Sequence, residues 1–213
     1  MPAADRPPLP PPFSLFRQLS LADFITLGNA ACGTAVIFLC LNYLDLGHND
    51  AWIVAAFWLL PLAFVLDSAD GYVARARHKQ SPFGGDLDSL SDVISFGVAP
   101  AVLGFTLGLR GVWDAVILVY FVCCGVSRLA RFNVTAAALS DERGKVRYFE
   151  GTPIPVSLLI VGVLAVAWSK GAIDADLWGG GHKLGPFTLH PMALLYAVAG
   201  STMVSARLRI PKP

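Results

Sequence analysis

Asp67-Ser-Ala-Asp70-Gly71-Tyr-Val-Ala74-Arg75, eight further residues, and then Gly84-Gly-Asp-Leu-Asp88-Ser-Leu-Ser-Asp92 form the stretch on which this chain turns. Apolar runs flank it: Ala51 to Leu66 before and Val93 to Leu109 after, broken only by Ser95 and Thr106. Carboxylates beside hydrocarbon are costly, roughly 2.5–3.5 kcal/mol each at a bilayer centre, so four together cost about 10 kcal/mol or more. Such a cluster persists where a cation meets it or where it lines a wet cavity. On an α-helix, Asp67, Asp70, Gly71, Ala74 and Arg75 share one face, and Asp88 and Asp92 share another. The segment Ser81-Pro-Phe-Gly84-Gly85 between them is a turn signal. Two helices are therefore expected to meet in a hairpin, each offering a pair of carboxylates. Hard divalent cations with oxygen ligands are the natural partner, Mg²⁺ or Mn²⁺ above all, and two of them would suit phosphoryl chemistry.

Composition sets the class. Hydrophobic residues make up 55% of the 213 and charged residues 15%, against about 25% charged in soluble domains; mean hydropathy is +0.60. These values predict one all-α, polytopic membrane domain. The net charge of +1 gives no reason to expect a nucleic-acid partner. Cys32, Cys40, Cys123 and Cys124 all lie in apolar runs, without the spacing of a disulfide framework or a zinc site. The four histidines, His48, His78, His182 and His190, fall in expected loops or helix ends and read as incidental to the chemistry.

Residues 1–12 hold six prolines and read as a disordered tail. Residues 13–21 form a juxtamembrane segment, either a short interfacial helix or a lead-in to the first span. Residues 22–213 carry the helical domain. Six spans are expected, near Phe24–Leu44, Ala51–Ala74, Asp88–Leu109, Val112–Phe132, Pro153–Trp168 and Leu189–Ala206. The run Ala51 to Leu66 gives only about 24 Å of helix, so the second span needs its acidic residues to finish the crossing. That puts all four aspartates at one membrane edge. With both termini inside, thirteen of the sixteen Lys and Arg residues fall on the inner side, and only Arg110, Lys170 and Lys183 outside. This bias predicts cytoplasmic termini and a cytoplasmic site in the cell's inner membrane. Arg128 and Arg131, at i and i+3 near the end of the fourth span, lie at the depth of the aspartates. They read either as snorkelling to lipid phosphate or as forks for a carboxylate or phosphate.

The pattern Asp-x2-Asp-Gly-x2-Ala-Arg-x8-Gly-x3-Asp-x3-Asp resembles the signature of the CDP-alcohol phosphotransferases, with all eight fixed positions filled over 26 residues. A solvated acidic loop would have no need of the glycines and the alanine. The stretches Gly84 to Pro100, Arg128-Leu-Ala-Arg131-Phe-Asn133, Phe149-Glu-Gly151-Thr-Pro153-Ile-Pro155 and Met203 to Pro213 are similar to the integral-membrane phosphatidylserine synthases within that family. One departure is Ala22-Asp23, where the family usually has Pro-Asn, although Asp23 still suits a helix cap.

The resemblance implies a six-helix bundle, a homodimer, and transfer of a phosphatidyl group from CDP-diacylglycerol to serine. It implies two divalent ions on Asp67, Asp70, Asp88 and Asp92, with Asp92 also the base. Gly71 and Ala74 leave room for the nucleotide, beside Gly84. Arg75, Arg128, Arg131 and Asn133 are the candidates for holding phosphate or the serine carboxylate. Small residues such as Gly33, Ala35, Gly162 and Gly200 permit close helix packing. The same chemistry with another acceptor, glycerol 3-phosphate or an inositol phosphate, stays open. An ion transporter with an acidic midplane site fits less well, since the aspartates lie at one edge and no inverted repeat is visible.

Overall fold

The computed structural model describes residues 19–77, 84–139, 148–205 and 209–211. The expected proline-rich tail, most of the juxtamembrane segment and the core of the expected turn between the two acidic helices lie outside these residues. The described chain is mainly helical. In order come α1 (Leu21–Asp45), α2 (Asp50–Arg77), α3 (Gly84–Asp92), a π-helical stretch (Val93–Val98), α4 (Ala99–Thr106) and α5 (Val112–Leu139). Then follow β1 (Tyr148–Glu150), a 3₁₀ turn (Ile154–Val156), α6 (Ser157–Ser169), a second 3₁₀ turn (Asp174–Asp176), the hairpin β2 (His182–Leu184) and β3 (Phe187–Leu189), α7 (Ala193–Val204) and β4 (Arg209–Pro211).

Four stretches are long and apolar enough to cross a membrane: Leu21–Asp45, Asp50–Ala74, Gly84–Thr106 and Val112–Val134. Ile154–Ser169 and Ala193–Val204 are shorter apolar helices. Large apolar side chains cover the outside, among them Trp58 at 73% exposure and Leu159 at 71%. In water such a surface would be an aggregation liability; in lipid it is the solvated face. The protein is a multi-pass membrane protein.

α1 begins in a capping box. The Ser20 hydroxyl accepts from the Asp23 amide (3.3 Å) and the Asp23 carboxylate accepts from the Ser20 amide (2.6 Å). Asp23 thus caps from the third helical position, with serine as the N-cap. The buried stripe of α1 runs Asp23, Thr26, Asn29, Gly33, Val36, Cys40, Tyr43, a spacing of three and four that makes one face. With that face α1 packs against α2, α3, the π stretch and α4. At Gly33 the approach is close: a Cβ there would lie 2.7 Å from the Ser95 Cα.

The third crossing starts at Gly84, four residues before the expected Asp88, and is not uniform. After Asp92 the helix widens, and the Ala99 amide donates to the Ile94 carbonyl, five residues back. Pro100 follows, with no N–H to offer the α ladder. Its carbonyl accepts from the Tyr196 hydroxyl (2.7 Å), and Tyr196 meets Phe121 edge-on at 5.2 Å. These rings, with Phe96, Leu103 and Leu164, fill the core between α4, α5, α6 and α7.

At the end of the bundle away from α3, Asp114 at the start of α5 is fully buried. It accepts from the Gly111 amide (2.9 Å), the His190 amide (2.7 Å) and His190 Nδ1 (2.5 Å). His190 therefore has a structural task, fixing the lead-in to α7. It also explains why the last helix starts at Ala193 rather than near Leu189, which belongs to the β2–β3 hairpin. At the opposite end β1 and β4 pair antiparallel, Phe149 against Ile210. Gly151 follows β1 with φ +80°, and a Cβ there would lie 2.3 Å from the Met203 carbonyl oxygen, so only glycine fits.

The four cysteines are free thiols. Of the small residues singled out above, Gly33 and Gly200 pack within the chain, Gly200 against Phe121 and Cys124, whereas Gly162 faces open space.

Candidate active site

The acidic cluster assembles from two helices. Asp67 and Asp70 stand on α2, three residues apart; Asp88 stands on α3. One carboxylate oxygen from each lies within 4.8 Å of the other two. Asp70 is buried and the other two are half-buried. Three hard oxygen donors this close together are a donor set for a divalent cation of the Mg²⁺ or Mn²⁺ kind, and repel one another without one. Asp92 comes one helical turn after Asp88 and is buried.

The remaining predicted residues take these places. Gly71 and Ala74 are half-buried on α2, following Asp70 by one and four residues, with little side chain to fill the space. Arg75 continues the same helix; its side chain lies outside the described residues. Gly84 is the first residue of α3. Arg128 and Arg131 stand on α5, which packs against α3 and the π stretch. Arg128 Nε and Arg131 Nη2 are both buried without a hydrogen-bond partner. Asn133 Oδ1 accepts from the Ser89 hydroxyl (3.1 Å) and its Nδ2 donates to Asp86 (3.5 Å), tying the far part of α5 to the first turns of α3.

The structure adds three residues that the motif did not contain, all reached through α1. The Thr26 hydroxyl donates to Asp70 Oδ2 (2.5 Å). Asn29 Nδ2 donates to Asp92 Oδ1 (3.4 Å). The Ser95 hydroxyl donates to the Asn29 carbonyl (2.9 Å). The available signal was the pair Thr26 and Asn29, polar and three apart in the first half of a largely apolar span.

A carboxylate cluster at the Asp-x2-Asp-Gly-x2-Ala-Arg-x8-Gly-x3-Asp-x3-Asp stretch, set in a bundle of membrane helices, is the arrangement expected of an enzyme that transfers a phosphate-linked group from a CDP-alcohol. A profile of the CDP-alcohol phosphatidyltransferase family matches residues 19–203, and the chain belongs to that family. A CDP-diacylglycerol–serine O-phosphatidyltransferase of Saccharomyces cerevisiae is 40% identical over 204 residues, covering 94% of this chain and 74% of that protein. One of the same name from Methanocaldococcus jannaschii is 36% identical over 151 residues, 70% of this chain and 63% of the relative. An archaetidylserine synthase of Methanothermobacter thermautotrophicus is 37% identical over 146 residues, 67% of this chain and 56% of the relative. The chain thus spans somewhat over half the length of these two archaeal proteins.

Proposed function

We propose that the protein is a CDP-diacylglycerol–serine O-phosphatidyltransferase. The observation that carries this reading is the convergence of Asp67, Asp70 and Asp88 on one point, with Asp92 beside them. The names of the similar proteins supply the acceptor. The serine hydroxyl oxygen forms a bond to the phosphorus that carries diacylglycerol. The bond from that phosphorus to CMP breaks, and CMP leaves with the electron pair. The hydroxyl proton goes to Asp92.

Each group has a task in this scheme. Asp67, Asp70 and Asp88, with Asp92 at the margin, hold two divalent ions, Mg²⁺ or Mn²⁺. When bound, these neutralise the pyrophosphate and stabilise charge on the leaving oxygen. Gly71, Ala74 and Gly84 let the nucleotide approach the backbone. Arg75 holds phosphate. Arg128 and Arg131, whose buried guanidinium nitrogens lack partners, take the carboxylate of serine or a phosphate oxygen, and Asn133 stands at the rim. The site opens to the cytoplasm, a reading supported by the excess of Lys and Arg on that side. The two shorter apolar helices complete a six-helix bundle in the membrane, and the protein works as a homodimer.

An acceptor panel on detergent-purified protein tests the assignment. With CDP-diacylglycerol and Mn²⁺, CMP release is expected with serine and at background level with glycerol 3-phosphate or inositol phosphate. Preference for a phosphorylated acceptor would overturn it.

The arginine assignment has its own test. Losing one buried, charge-assisted contact costs about 2–4 kcal/mol, or roughly 30- to 1,000-fold in kcat/KM. Arg131→Lys keeps the charge and loses the fork. It is expected to raise the KM for serine by that order and to leave the KM for CDP-diacylglycerol nearly unchanged. The opposite pattern in steady-state kinetics would place lipid phosphate at Arg131 and move the serine site toward Arg128.

A further inference from the structure

We infer that Asn29 is a positioning residue that fixes the Asp92 carboxylate for proton removal, so that α1, which lies outside the acidic motif, sets the geometry of the reaction. The inference rests on the reading of Asp92 as base. Asn29 is fully buried in an apolar span. A buried amide is unfavourable by a few kcal/mol unless its hydrogen bonds are met, and here Oδ1 has no partner. Packing alone would be served better by leucine, which has nearly the same shape and no polar atoms.

What Asn29 does make is directed. Its Nδ2 donates to Asp92 Oδ1. The alternative placement of the amide would set a carbonyl against a carboxylate, so this orientation is the one the partners allow. A carboxyl held at one oxygen cannot turn about its Cβ–Cγ bond without breaking that contact. The other oxygen then keeps a fixed direction, and it receives the hydroxyl proton as the new phosphorus–oxygen bond forms and the bond to CMP breaks.

The backbone of Asn29 is held as firmly as its side chain. Its carbonyl accepts from the Ser95 hydroxyl, and glycine at 33, one turn further along α1, lets the two backbones close to that distance. Ser95 lies in the π stretch, three residues beyond Asp92. The amide and the carboxylate are thus clamped together by one side-chain bond and one backbone bond across the same helix contact.

The test uses the full-length protein in detergent. Asn29→Leu is expected to fold with a Tm equal to or above wild type. Its kcat should fall about 10- to 100-fold, the loss typical of a misplaced catalytic group. Its KM for CDP-diacylglycerol and its Mn²⁺ affinity, read directly by electron paramagnetic resonance, should stay within threefold. In the Asp92→Asn background the same substitution should cause no further loss, because the group it positions is already gone. A folded Asn29→Leu protein with kcat within threefold of wild type would overturn the inference, as would additive losses in the double variant. If Asn29→Leu does not fold, Asn29→Ala takes its place with the same expected pattern. Failure of both to fold, under conditions where Asp92→Asn folds, would assign Asn29 to structure and overturn the inference too. Near-normal turnover in Asp92→Asn alone would instead remove the base reading on which the inference stands.

Discussion

Asp67→Asn and Asp88→Asn are each expected to lower turnover by about 10³-fold or more, since in the proposed mechanism several kcal/mol of transition-state stabilisation would come from a cation on these residues. The substitution keeps the shape of the side chain. It removes the negative charge and turns an N–H₂ toward the cation, so affinity falls with activity. Folding should survive. Asp67, Asp70 and Asp88 stand with ligand atoms within 4.8 Å of one another, and removing one charge from such a group relieves repulsion in the metal-free state. Expression and Tm should therefore hold, or rise, while Mn²⁺ binding weakens. Measuring CMP release together with Mn²⁺ titration separates the effects. Near-normal turnover with an unchanged titration in either variant would sink the metal assignment.

Asp92→Asn should behave differently. The triad that gathers its ligand atoms most closely does not include Asp92, and the amide oxygen at this position can still accept from Asn29. Binding of CDP-diacylglycerol in the presence of metal should persist, while kcat should drop by about 10²-fold or more if Asp92 is the proton acceptor proposed above. Equilibrium binding and single-turnover CMP release on the same preparation decide the matter. If binding disappears as completely as in Asp67→Asn, Asp92 serves chiefly as a ligand.

The acidic motif was legible because helical periodicity is local: positions three and four apart share a face whatever the rest of the chain does. Helical spacing alone therefore gathers Asp67 and Asp70 on one face of α2 and sets Asp88 on the helix that meets it, as the structure does. The sequence also placed the helices closely, because apolar runs of membrane length are hard to misread. What escaped it is long-range. Thr26 meets Asp70 across 44 residues, Asn29 meets Asp92 across 63, and Ser95 meets the Asn29 carbonyl across 66. A single threonine or asparagine in an apolar run looks the same whether it faces a neighbouring carboxylate or its own backbone. The π stretch was equally hidden. Nothing in Val93 to Val98 distinguishes a wide turn from an α one. His190 looks incidental to the chemistry in the sequence, and its structural bond to Asp114 depends on a contact spanning 76 residues.

The wide turn from Val93 to Val98 acts as a phase shifter between two demands on one helix. Upstream, Asp88 and Asp92 must point at α2 and α1; downstream, Pro100 and Leu103 must point at the Tyr196 side of the core. A uniform α-helix advances about 100° per residue and would tie those two directions rigidly together. One additional residue in a single turn uncouples them, so the polar end and the oily end of the crossing are each aimed independently. By the same geometry, rewinding that turn to a regular α-helix with every residue kept would swing everything beyond it through roughly a quarter of a revolution.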